Sequence, residues 1–137
     1  MNPLPSDPEL AALMRRLLPH AQAAWLFGSA AEGRMRTDSD VDIAVWHPSP
    51  LTGPARFEAA CAAASAMGRD VDLLDLLRLP AAMQAHVLQS GRLLFAESPL
   101  QLLHLKARVM RDYQDMQAWH APMVAALADR LRQKVAA

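Results

Sequence analysis

Apolar side chains recur at helical steps near the start of the chain. Leu10, Leu13, Met14, Leu17 and Leu18 follow Ser6, Asp7, Pro8 and Glu9, an N-cap with proline and acid in the first turn. An amphipathic helix ending near Pro19 is expected. Ala23 to Phe27 is a short apolar run stopped by Gly28 and reads as a buried strand. From Asp40 to Trp46, Val41, Ile43 and Val45 alternate with Asp40, Asp42 and Ala44, the two-residue period of a strand closed by Pro48 and Pro50. Pro54 to Met67 is a helix with Gly68 as C-cap, and Asp70 to Leu74 repeats the polar and apolar alternation. Residues 80 to 90 form a helix stopped by Gly91, and Arg92 to Ala96 a short strand. Ser98-Pro99 then caps a long helix whose Leu102, Leu105, Val109, Tyr113 and Met116 share one face. After Pro122 a second amphipathic piece carries Val124, Leu127, Leu131 and Val135. The pattern predicts an α/β core over residues 1–99 and a helical extension over 100–137 that docks on that core or on a partner.

Charge and size narrow the class. The 137 residues suffice for one core, and 14 basic against 14 acidic side chains give no excess that would favour nucleic acid. The first residues lack a basic segment followed by an apolar one, and no later run approaches about 18 apolar residues. A cytoplasmic protein without membrane or nucleic-acid contact is expected. Cys61, the one cysteine, sits in an alanine-rich run and is expected as a small buried helix residue. Five scattered histidines lack the spacing of a zinc site.

The chemistry gathers where the first strand ends. Gly28 lets the backbone approach a ligand closely. Ser29 offers a hydroxyl, and Ser29 to Glu32 has the capping-box form of a short helix whose N-terminus attracts anions. Ten residues on, Asp40 and Asp42 present carboxylates from one face of a strand. Hard oxygen ligands of this kind suit Mg²⁺ that is also held by substrate phosphates. Asp72 could complete a three-carboxylate site, with Asp70 and Asp75 as competitors. Arg34 and Arg36 could reach phosphate oxygens or remain solvated loop charges. The Asp38 to Asp42 run imitates a calcium loop, but Ile43 and Ser49 stand where glycine and glutamate are required.

Residues 27 to 42, FGSAAEGRMRTDSDVD, resemble the GSx10DxD signature of the nucleotidyltransferase superfamily at Gly28, Ser29, Gly33, Ser39, Asp40 and Asp42. The segment VDLLDLLRLPAAMQAHVLQSGRLLF is similar to the minimal, stand-alone members, and the tail resembles that of the MntA-type antitoxins. The resemblance implies a polymerase-beta-like fold, a small mixed sheet flanked by helices. It assigns metal and catalysis to Asp40, Asp42 and Asp72, and nucleotide binding to Gly28 and Ser29. It also implies an antitoxin of a type VII-like pair that uses ATP and Mg²⁺, two ions by its pattern, to transfer AMP to a tyrosine of a HEPN-domain ribonuclease toxin. Two other classes fit parts of the pattern, a catalytically silent antitoxin and an antibiotic-type small-molecule nucleotidyltransferase. The bare core leaves its acceptor side open for a protein, and three adjoining acids would repel one another without metal.

Overall fold

The computed structural model describes residues 4–28, 31 and 40–136. Helix α1 spans Asp7–Leu17. Ser6 Oγ accepts the Glu9 N–H, acids occupy the first turn, and Arg15 and Arg16 occupy the last, each matching the helix dipole. Strand β1 (Ala23–Phe27) is buried at every position, as a central strand covered on both faces must be. Strand β2 is Val41–Trp46. Helix α2 (Gly53–Met67) begins behind Thr52, whose hydroxyl accepts the Ala55 N–H, and ends at Gly68 in the left-handed region with φ of 67°. Strand β3 (Val71–Asp75) passes through a 3-10 turn, Leu76–Arg78, into helix α3 (Ala81–Ser90). Strand β4 (Arg92–Ala96) leads to helix α4 (Pro99–Ala136).

The four strands lie in the order β3-β2-β1-β4. Antiparallel β1 pairs with β2 and β4, while β2 and β3 run parallel through the α2 crossover, so the sheet is mixed. Its two faces carry separate cores. Leu26, Ile43, Val45 and Leu73 meet α1 and α2 through Leu10, Met14 and Ala59. On the opposite face Trp25, Phe27 and Ala44 meet Val87 of α3 and Leu102, Leu105 and Val109 of α4. Trp25, Leu10 and Met14 are among the largest fully buried side chains.

Three expectations are corrected. Cys61 is exposed, not buried, because α2 buries Ala59, Ala63 and Met67 four residues apart and turns position 61 outward. The chain makes one helix from Pro99 to Ala136 and does not restart after Pro122. A proline there forfeits one hydrogen bond to the carbonyl of residue 118, and in this solvent-facing stretch water can take its place. The third strand starts at Val71 and ends at Asp75, one residue later than the alternation suggested. Among the described residues no helix is long and apolar enough to cross a membrane.

Candidate active site

Side-chain alternation sorts the acids. On β2, Val41, Ile43 and Val45 face α1 and α2, so Asp42 shares the other face with Ala44. On β3, Leu73 faces the first core and Leu74 packs with the second, which puts Asp72 on the side of Asp42. The parallel register pairs Asp42 directly with Asp72, on neighbouring strands about 4.8 Å apart. Asp40 precedes β2 on the same face by parity and is exposed, as is Asp72, whereas Asp42 is half-buried. Helices α3 and α4 cover the rest of this face and leave the acids at its open end.

Strand β1 delivers Gly28 to the same place. Phe27 lies opposite Asp42 in the antiparallel register, and Gly28 follows with φ of 72°. A Cβ added at Gly28 would stand 2.5 Å from Asp42 Oδ2. Only glycine both adopts this conformation without strain and leaves room for the carboxylate. Ser29, Gly33, Arg34, Arg36 and Ser39 lie outside the described residues, as does the capping-box partner Glu32.

The acids burden one another. Burial, then the neighbouring charge of Asp72, then that of Asp40, push the Asp42 carboxyl above its ordinary value of 3.8. Among the described residues no three His, Cys, Asp or Glu side chains converge to hold an ion by themselves. The donor set still fits Mg²⁺, which is held by one or two carboxylates plus substrate phosphates rather than in an all-protein cage. Asp42 and Asp72 would hold it, with Asp40 beside them.

The two competitors lie at opposite ends of β3. Asp75 lies at the far end of β3, in register with Val45, and its buried carboxylate accepts the Leu51 N–H at 3.0 Å. It ties the end of β3 to the segment before α2, a role for which the sequence pattern carries no signal. Asp70 is exposed just before β3, where its backbone carbonyl accepts the Val41 N–H at 2.9 Å.

A profile described as polymerase beta, nucleotidyltransferase matches residues 11–100, which contain β1, the Gly28 turn and all of these acids. The chain belongs to the polymerase beta nucleotidyltransferase family. Among this nucleotidyltransferase's relatives, the protein adenylyltransferase MntA of Shewanella oneidensis is 34% identical over 114 residues, 82% of this chain and 81% of its own. A solved toxin-antitoxin structure with AMP-PNP matches with a TM-score of 0.80 at 29% identity, covering 90% of this chain and 99% of that one. A complex of tri-AMPylated Shewanella oneidensis HEPN toxin with MNT antitoxin matches with a TM-score of 0.73 at 28% identity, over 89% of this chain and 95% of the other.

Proposed function

We propose that this nucleotidyltransferase is the antitoxin of a toxin-antitoxin pair, a protein adenylyltransferase that moves AMP from ATP to a tyrosine of a HEPN ribonuclease toxin and thereby silences it. The observation that carries the reading is the register of Asp42 on Asp72 beside the Gly28 turn. Two carboxylates side by side at the end of a glycine turn support a metal-assisted phosphate site. Of the relatives named above, one is a protein adenylyltransferase, one is a toxin-antitoxin structure with an ATP analogue, and one is a complex of an AMPylated HEPN toxin with an MNT antitoxin.

In this reading Asp40, Asp42 and Asp72 would hold Mg²⁺, two ions by the family pattern, and the metal would supply positive charge against the triphosphate. Gly28 and Ser29 take the phosphates, and Arg34 and Arg36, which lie between Ser29 and Asp40 in the sequence, supply cations for them. The tyrosyl oxygen forms a bond to the α-phosphorus and pyrophosphate leaves. Gly28 and Ser29 orient the nucleotide for that in-line displacement, and the tyrosyl proton leaves toward the exposed carboxylates of Asp40 and Asp72. The pair acts in the cytoplasm.

Incubating the purified chain with Mg-ATP and its cognate toxin, with intact-mass detection, tests this directly. Added adenylate on a toxin tyrosine is expected, falling on the order of a thousandfold in rate for folded Asp42→Asn, or about 4 kcal/mol of transition-state stabilisation. Unchanged transfer by Asp42→Asn/Asp72→Asn would refute the assignment.

A further inference from the structure

Helix α4 is far longer than the core it packs on. Its 38 residues span about 57 Å, of which the part beyond Tyr113 accounts for about 35 Å. Two contacts fix its direction. Gln101, His104 and Leu105 line one cavity with Trp46, which packs on the core that includes Leu105 and pairs with Ala23 at the end of the sheet away from the acids. Met110 Sδ accepts the Gln89 side-chain amide at 3.7 Å, and Gln89 sits just before Gly91 and Arg92, the latter in register with Leu26. Leu26 is next to Phe27, the partner of Asp42. The helix therefore crosses the sheet on the face that carries Asp42 and Asp72, and leaves the core at their end of it.

The stripe that α4 buries does not stop there. Leu102, Leu105 and Val109 are buried, and Met116, Met123, Leu127 and Leu131 continue at steps of four or seven residues, on the same side of the helix. Beyond the core they are uncovered. Met123 is 50% exposed, Leu127 and Leu131 are each 57% exposed, and Trp119 beside them is 66% exposed. Met123, Val124, Leu127 and Arg130 are among the residues lining a groove of about 430 Å³. Asp129 is held by Arg132 at 3.3 Å, while Arg130 and Lys134, seven residues beyond Met123 and Leu127, end the stripe as a cationic border and have no ion-pair partner among the described residues.

We infer that the uncovered face of α4 between Met116 and Leu131 is the docking surface for the toxin, which lays an apolar helix face flanked by acidic residues along it. The inference rests on the adenylyltransferase reading and adds where the acceptor protein is gripped. Three facts select this occupant. The overhang begins at the acid-bearing end and face of the sheet, where an acceptor tyrosine has to arrive. Its apolar stripe continues one that already packs helix against helix, and its cationic border calls for an acidic counterpart. Grip and chemistry are thereby separate, since the overhang contains none of the acids.

The test compares the wild type with Leu127→Glu/Leu131→Glu and with Arg130→Glu/Lys134→Glu, all as full chains. Toxin binding is measured without ATP, KM for the toxin and for a short tyrosine peptide cut from it is measured with ATP, and thermal melts accompany both. The first variant should weaken toxin binding and raise the toxin KM at least about 30-fold, and the second about 5-fold. The melt, Mg-ATP affinity and peptide labelling should stay at wild-type values. Unchanged toxin affinity in both variants overturns the inference. So does self-association of the wild type that the variants lose while toxin binding survives, which would make a second copy the occupant. A wild type that binds toxin without labelling it removes the enzymatic reading and leaves the docking comparison intact.

Discussion

One methyl group at position 28 tests the turn and the acid cluster together. Gly28 has φ of 72°, where an L side chain costs about 1–2 kcal/mol. Gly28→Ala should therefore lower the melting temperature by a few degrees, up to about 10 °C, in a chain of this size. The larger effect is local. The new Cβ would sit 2.5 Å from Asp42 Oδ2, whereas ordinary contact begins at 3.4 Å. Because Gly28 is held at the end of β1, the carboxylate must yield by roughly 1 Å, a misplacement able to cost about a hundredfold in rate. Gly68 supplies the matched control, with φ of 67° at the C-cap of α2. Gly68→Ala should lose similar stability and keep transfer within about threefold of wild type at a temperature where both are folded. Gly28→Asn tolerates the left-handed backbone better but carries the same Cβ, so it should melt closer to wild type and still transfer slowly. Labelled-ATP transfer to the toxin, normalised to folded protein, reads all three. Near-normal transfer by Gly28→Ala, or an equal loss in Gly68→Ala, would refute the reasoning.

Further outcomes follow from the same geometry. Since the folded state holds the Asp42 proton more tightly than the unfolded chain, metal-free stability should fall as pH rises from 3.8 through the higher folded value. Asp42→Asn should flatten that step and melt no lower than wild type at neutral pH, and Mg²⁺ should raise the wild-type melt more than the variant's, all read by calorimetry. Asp75→Ala leaves the Leu51 N–H unpaired and should cost about 1–3 kcal/mol in urea unfolding while transfer per folded molecule is unchanged. Toxin treated with this protein and Mg-ATP, then denatured, separated and refolded, should stay inactive as a ribonuclease and carry adenylate on tyrosine. Recovery of its activity would mean silencing by binding alone.

Much of the site is legible in the order of residues alone. The strict alternation from Val41 to Val45 places Asp40 and Asp42 on one face, because side-chain direction in a strand has a period of two whatever the strand packs against. The Gly28 stop after an apolar run likewise reports a local backbone need. Choosing among Asp70, Asp72 and Asp75 is harder, since the strand boundary moves by one residue and parity alone cannot separate Asp70 from Asp72. The parallel register that sets Asp72 against Asp42 is a contact across thirty residues, and Asp75 is a buried acceptor at the other end of its strand.

Helix α4 shows where that division falls. Sequence alone determined the apolar periodicity on either side of Pro122, because helical periodicity is a property of neighbours three and four residues apart, but not that the two pieces join into one helix with one stripe. It also determined the spacing of Gly28, Asp40 and Asp42 and the type of most elements. Only the tertiary structure decided the strand order β3-β2-β1-β4, the burial of Leu102, Leu105 and Val109, and the exposure of Met123, Leu127 and Leu131 on the same stripe. Burial depends on what else the fold brings alongside. The same leucine at the same helical phase becomes core where the sheet lies beneath it and free surface where the sheet has ended.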